Sequence, residues 1–518
     1  MKLKFLFSIS AIIFVFLSMS GTAFAANPIQ ISTFEQLMAI GDSAENLSKD
    51  YILMNDIDVQ NSVLFQPIGS FSYTMITDEH TGNPFTGTFN GNGYTISNIT
   101  FLNNTMTGVG LFGSMKEASI SNLSLENINL TGQQNVGGLV GWANNTKIMN
   151  CSVVNSDTYL ISGNDCVGGL VGNLQSSNIS DSYAICTVIG RFYVGGFAGA
   201  IENSIVSDSY ATSNVNGVSP VGGFIGFAVS SSVSGSYAIG NVEGENVVGG
   251  FVGNMHNDSS ISNSYAIGNA IVKAIDNATE HEVNYQANIY FGGFAGYMNN
   301  NSSISKSYAI GNAEGKESIG GFIGGMSESS MVSESYATGN ATGRNNVGGF
   351  VGDVNNSSVI NSYATGNAIG RNNVGGFVGG MNDTVVSYCY AVGNSKVIDE
   401  SNNAGGFAGY QISSKIISCF SSTEAGHDNG LGIAKSDADL KKKETFKATY
   451  SIAGLVNFSK PWSISSSLDS NTIWYIDENN DYPKLLWNDS SSFAPKLPDF
   501  FFINRYVEYV WAWVKSLF

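Results

Sequence analysis

Along most of this chain, short runs of β-branched or aromatic residues alternate with Gly, Asn and Ser, a pattern of many brief strands separated by turns. The unit Val347 to Asn373 shows it well. There, Val-Gly-Gly-Phe-Val-Gly, Ser-Ser-Val-Ile and Ser-Tyr-Ala are divided by Asn-rich turns. The pattern repeats. Gly-Gly pairs at Gly168, Gly195, Gly222, Gly249, Gly292, Gly320, Gly348, Gly375 and Gly405 follow one another at 27, 27, 27, 43, 28, 28, 27 and 30 residues. An earlier copy starts at Gly137, and Gly108 to Gly113 reads as a degenerate first one. One such coil cannot bury its apolar residues, but stacked coils pair each strand with its copy above and below. The pattern therefore predicts an all-β fold, a right-handed parallel β-helix (solenoid) of about eleven coils. At roughly 4.8 Å per coil the rod is on the order of 50 Å long.

Three columns of like residues support the stacking. Phe197, Phe224, Phe251, Phe294, Phe322, Phe350, Phe377 and Phe407 share one repeat position between glycines and read as core. Tyr183, Tyr210, Tyr237, Tyr265, Tyr308, Tyr336, Tyr363 and Tyr390 share another, four residues after Val or Ile. Its direction is ambiguous, because strict alternation gives conflicting parity unless a turn intervenes. Inward, it is a second core ladder; outward, an aromatic stripe for sugars or a partner. Gly-Asn recurs at Asn241, Asn269, Asn312, Asn340, Asn367 and Asn394, where stacked amides are expected to hydrogen-bond coil to coil.

Length alone suggests several domains, but the repeat overrides that expectation. The divisions read as a signal peptide at 1–25, an N-terminal cap with the first coils at 26–105, repeats at 106–425, a C-terminal cap at 426–490 and an aromatic tail at 491–518. The signal rests on basic Lys2 and Lys4, an apolar Phe5 to Met19 and the small-residue site Ala23-Phe24-Ala25. It predicts a secreted protein, extracellular or associated with the cell surface or envelope. The whole chain carries a formal charge of −18, and removing Lys2 and Lys4 makes it −20, which disfavours nucleic acid as a partner. Five cysteines, an odd number without a Cys-x-x-Cys pair, argue against a disulfide-held fold and against zinc or iron–sulfur sites. No cofactor is expected. Cys151, Cys389 and Cys419 replace the Ser that precedes Tyr in other coils, a substitution that suggests packing.

These residues resemble the GLUG-motif repeat family, whose Gly-Leu-x-Gly pattern is seen at Gly138-Leu139-Val140-Gly141 and Gly169-Leu170-Val171-Gly172. The resemblance runs from about Ile29 to Trp487. It takes in the lead-in Ile31 to Leu37, Tyr51 to Asp58, Pro67-Ile68-Gly69 and Phe85 to Ile96, and the closing Trp462-Ser463-Ile464 and Tyr482 to Leu485. It implies a β-helix of the kind found in large surface proteins, including adhesin-like proteins and immunoglobulin A-cleaving metallopeptidases, and no single activity. The peptidase members carry a His-Glu-x-x-His zinc site. The four histidines here, His80, His256, His281 and His427, lack that spacing. The expectation is a protein that is not an enzyme, with an adhesin-like binding or scaffold role towards a surface glycan or protein.

The alternatives are a β-helix polysaccharide lyase or hydrolase and a purely structural envelope component. For catalysis the best pair is Asp181 and Asp208, one coil apart at the same repeat position. The position continues as Gly235, Asn263, Lys306, Glu334 and Asn361, as a freely varying exposed site does. The long interval, Ile271 to Tyr290 with Glu280-His281-Glu282, predicts a projecting loop that is either a recognition element or a plain solvated loop. Ser436 to Tyr450 predicts a short helix in the C-terminal cap. Phe502, Tyr506, Tyr509, Trp513 and Leu517 fall near one helical face, predicting a peripheral membrane contact or packing onto the rod or a partner.

Overall fold

The computed structural model describes residues 28–59, 65–70, 72–74, 79–272, 289–398, 403–447, 461–468 and 471–489. The predicted signal peptide, most of the Ile271 to Tyr290 loop and the tail from residue 490 lie outside them.

The chain winds into a parallel β-solenoid. Three of its sheets hold 11 strands each, one per coil, and a fourth of 26 strands holds two strands per coil. In one coil, Val221–Gly222, Ile225–Val229, Ser232–Ser234, Tyr237–Ile239 and Val242–Gly244 form successive strands. Each pairs in parallel with the residues one repeat later, as Tyr237 with Tyr265 and Val242 with Ala270. The 43-residue interval leaves this register intact: Val252 pairs with Ala295 and Phe251 stacks on Phe294. The coils on either side of the interval stay paired in the ladder.

The phenylalanine column is fully buried, with ring centroids 4.5–5.0 Å apart. The glycines around it permit two sheets to close on each other. A Cβ on Gly226 would lie 2.5 Å from the Val194 amide nitrogen and 2.6 Å from the Gly199 carbonyl oxygen, and one on Gly222 would lie 2.0 Å from the Ile225 carbonyl oxygen. Only glycine fits where backbones come this close.

Beside the core, a buried serine precedes each tyrosine from Tyr183 to Tyr363. The amide N–H of Ser209 donates to Ser236 Oγ at 3.3 Å, and Ser236 Oγ donates to the Ser234 carbonyl at 2.9 Å. The same pair of bonds recurs at Ser182, Ser264, Ser307 and Ser335. A hydroxyl that accepts and donates satisfies backbone groups that the turn removes from the sheet. Cys151 and Cys389 occupy this column and donate their thiols to carbonyls two residues back at 3.3 and 3.2 Å, as the serines do. Burial pushes the Cys151 thiol up to about 12, which suits packing and not reactivity. The Gly-Asn column bonds coil to coil as well, through side chain and backbone: each Asn Oδ1 accepts the amide N–H of the next Asn at 2.8–3.0 Å from Asn241 to Asn394.

At the N-terminal end, the helix Phe34–Met38, held by a Thr33/Gln36 capping box, places Leu37 over the core, and Ile40 and Leu47 follow it. At the other end Ile433–Lys435 adds a last parallel strand beneath Phe420–Ser422, and Leu431 packs on the core. The helix predicted within Ser436 to Tyr450 is present as two short ones, Asp437–Leu440 capped by Ser436 and Lys443–Lys447. They do not plug the end of the rod. With the strands Ile464–Ser465, Trp474–Tyr475 and Lys484–Leu485 they build a second cluster against the rod's outer side.

Candidate functional site

The tyrosine column faces outward. The residue two before each tyrosine adopts a left-handed backbone, with φ of 51° at Asp181, 47° at Asp208, 49° at Asn263, 47° at Lys306 and 47° at Glu334. This bend separates the two strands and resolves the parity conflict. Val233 and Ser236 point in while Tyr237 points out. Asp181 and Asp208 are exposed and serve as bend residues at a position that also holds Lys and Glu.

Successive tyrosine rings lie 4.7–5.1 Å apart with planes within 7° of parallel. Each ring's faces are thus taken by its neighbours, and the Tyr210 and Tyr265 hydroxyls are buried without a hydrogen-bond partner among the described residues. Sugar stacking needs a free face, so the ladder is a poor sugar platform despite being aromatic. Its last three rungs are roofed by the C-terminal segment. Trp462 and Trp474 lie 6.4 and 5.9 Å from Tyr390, Trp474 lies 6.0 Å from Tyr363, and Trp487 lies 6.1 Å from Tyr336. Tyr390 Oη donates to the Pro483 carbonyl at 2.6 Å, and Trp487 Nε1 donates to the Glu334 carbonyl at 3.0 Å.

A second surface lies at the corner where the two glycine-spaced sheets meet. There the outward column reads Asn254, Tyr297, Gly325, Asp353, Gly380 and Tyr410 in consecutive coils. Side chains of the facing sheet reach over to it. Tyr290 stacks on Tyr297 at 4.4 Å and lies across Gly325, where a Cβ would meet its ring at 2.4 Å. Asn346 Nδ2 approaches Asp353 Oδ1 at 3.4 Å, Asn373 Nδ2 donates to Asn346 Oδ1 at 2.8 Å, and Asn403 continues the row at 3.2 Å. Burial pushes the Asp353 carboxyl up to about 6, so both protonation states are accessible near neutrality. Asn254 Oδ1 is buried without a hydrogen-bond partner among the described residues. One coil before Asn254 the same column holds Phe227, with Tyr193 against it 5.0 Å away. Sequence reasoning missed this surface. Its members sit at repeat positions that vary from coil to coil, and only the pairing register aligns them.

The comparisons with known proteins bear on the coil. Residues 132–158 and 190–216 match the model of the GLUG motif. The chain carries GLUG-motif repeats at these two places. The chain is 32% identical over 122 residues to halomucin of Haloquadratum walsbyi, a match that takes in 23% of this chain and 1% of halomucin. Among solved structures it is similar to a candidate immunoglobulin A1 protease from Bacteroides ovatus (15% identity, 89% of this chain and 93% of that one, TM-score 0.29). It is also similar to an IgA1 protease (15% identity, 78% of this chain and 21% of that one, TM-score 0.22). At those scores the likeness says nothing of activity. Among the described residues, no group of three or more His, Cys, Asp or Glu is placed to hold a metal ion; His281 lies outside them.

Proposed function

We propose that this is an exported, cell-surface GLUG rod that binds a surface glycan without cleaving it, and that the corner around Asp353 is where it does so. The observation that carries this reading is the alignment, on one outward column and its neighbour, of Tyr290 and Tyr297 with Asp353, the Asn346–Asn373–Asn403 amides and the unpartnered Asn254 Oδ1. Aromatic rings beside planar amide and carboxyl groups suit a polyhydroxylated ring, whose C–H face packs on the aromatic while its hydroxyls find donors and acceptors. The column advances one coil at a time, a repeat that suits an extended chain better than a compact ligand. Export is supported by the pattern of residues 1–25, and a scaffold role by the unbroken stacking. Among the described residues no hydrogen-bonded second carboxyl accompanies Asp353, and a glycosidase needs two.

The test is to incubate the protein with a panel of polysaccharides and cell-wall extracts and to score retention and release of new chain ends together. Retention that falls at least tenfold in Asp353→Ala and Tyr297→Ala, with no new ends, supports the proposal. Release of new ends, or retention only of protein components, overturns it.

A further inference from the structure

The two ends of the rod differ. At the N-terminal end the first strand of one 11-stranded sheet, Phe112–Lys116, is bridged on its outer edge by Ile68 and Phe85. At the other end the last strand of that sheet, Ala408–Ile412, pairs with Val378–Asn382 on one side and with no strand among the described residues on the other. Asn429 Nδ2 donates to the Ala408 carbonyl at 2.9 Å, which leaves residues 409–412 as the open stretch. Tyr410 and Ile412 project outward there, 41% and 48% exposed. The Ile412 carbonyl accepts from the Asp383 amide of the preceding coil at 3.1 Å, so by alternation along the strand the N–H and C=O of Gln411 face the open side. Gln411 stands in a column that buries Met326, Val354 and Met381 in the coils before it, and its Oε1 has no hydrogen-bond partner among the described residues. Round the turn, Ile416 in the strand Lys415–Ile417 is only half-buried, whereas Val332, Val359 and Val386 of its column are fully buried.

We propose that this end pairs with the same end of a second copy, the strand Ala408–Ile412 running antiparallel to its counterpart about a dyad at Gln411. Three observations commit the edge to this occupant. The first is register. With Gln411 opposite its counterpart, the two backbones exchange both N–H···O bonds, and each Tyr410 faces the other copy's Ile412, an aromatic–β-branched pair on the outward face. The second is charge. The chain carries −18 overall, yet residues 401–414 hold no charged residue and no proline, so the edge lacks both the repulsion and the breakers that prevent strand pairing. The third is the amide. The dyad sets the two Gln411 side chains opposite one another on the core side and brings a donor to each oxygen that has none. Because Ile68 and Phe85 cover the corresponding edge at the N-terminal end, the contact closes at two copies and does not propagate into a fibre. With one short strand from each copy it is a weak, reversible contact. The two Asp353 corners then share one sheet five strand spacings apart, roughly 24 Å, within reach of a single extended ligand. That consequence rests on the glycan reading; the dimer does not.

The experiment follows the full chain, with no glycan present, by sedimentation velocity from about 1 to about 200 μM. A monomer–dimer equilibrium is expected. Ile412→Lys, at an exposed position, should weaken it roughly tenfold or more while circular dichroism and the urea midpoint stay unchanged. Register is read by mixing Tyr410→Cys chains with Ile412→Cys chains. Across the dyad these positions face each other with Cα atoms about 4.5 Å apart, within disulfide range. Under mild oxidation the mixture should therefore cross-link roughly tenfold faster than either variant alone, with the wild type as the background for the native cysteines. A monomer throughout the concentration range overturns the proposal. So does a dimer that Ile412→Lys leaves intact, cross-linking as fast in Tyr410→Cys alone as in the mixture, or a series of higher oligomers. Since no glycan is present, each of these outcomes leaves the reading of the Asp353 corner untouched.

Discussion

Asp353→Asn tests the corner through its electrostatics. Burial raises the carboxyl from 3.8 to about 6 in the folded rod. A folded value above the unfolded one means that the folded state holds its proton more tightly, so stability falls as pH rises from about 4 to about 6 and stays low above that. The difference corresponds to roughly 2–3 kcal/mol once partial exposure is discounted. Asparagine keeps the shape and the hydrogen-bonding reach toward Asn346 without the charge. The variant should therefore match the wild type near pH 3.5 and exceed it by roughly 2–3 kcal/mol at pH 8. Because a repeat array need not unfold in one step, the direct readout is hydrogen exchange in the strand Val351–Asn355, with the urea midpoint as a second measure. The difference between variant and wild type must grow with pH. A constant difference, or one larger on the acid side, would refute the assignment of Asp353 as a buried, destabilised carboxylate. If the same variant retains glycan binding, a hydrogen-bonding role at this position is sufficient; if binding is lost only above pH 6, the charge is what the ligand reads.

The structural columns make further predictions. Ser236→Ala removes the acceptor of the buried Ser209 amide and should cost about 1–3 kcal/mol by urea unfolding, while Ser236→Cys, which copies Cys389 in the same column, should cost less. Gly226→Ala puts a Cβ within 2.6 Å of three backbone atoms of neighbouring strands, so soluble yield and the strand signal in circular dichroism should collapse; an unchanged unfolding midpoint would contradict the close-packed sheets. Trp474→Ala removes a fully buried ring from the roof and should cost about 3–5 kcal/mol there alone. Proteolysis of residues 461–489 should accelerate while the coils between residues 190 and 260 keep their protection, and equal acceleration of both would show the roof and rod to be one cooperative unit.

The sequence by itself determined the coil, its number and its register. Pairing residue i with its copy one period later is the one arrangement that stacks all columns at once, and the period is visible in the Gly-Gly spacing. The phenylalanine core, the asparagine ladder and the serine-like role of the column cysteines follow from that register, since each rests on identity between successive coils. Tertiary structure decided what does not repeat. The outward turn of the tyrosines depends on a left-handed residue whose type changes from Asp181 to Lys306 to Glu334, so no residue signature marks it. The roof joins Pro483 to Tyr390 and Trp487 to Glu334, contacts 93 and 153 residues apart that no periodicity encodes. The corner around Asp353 was hidden for the complementary reason: its side chains occupy the variable positions of the repeat, and a variable position acquires neighbours only when the sheets close on glycine and bring the two outward columns together.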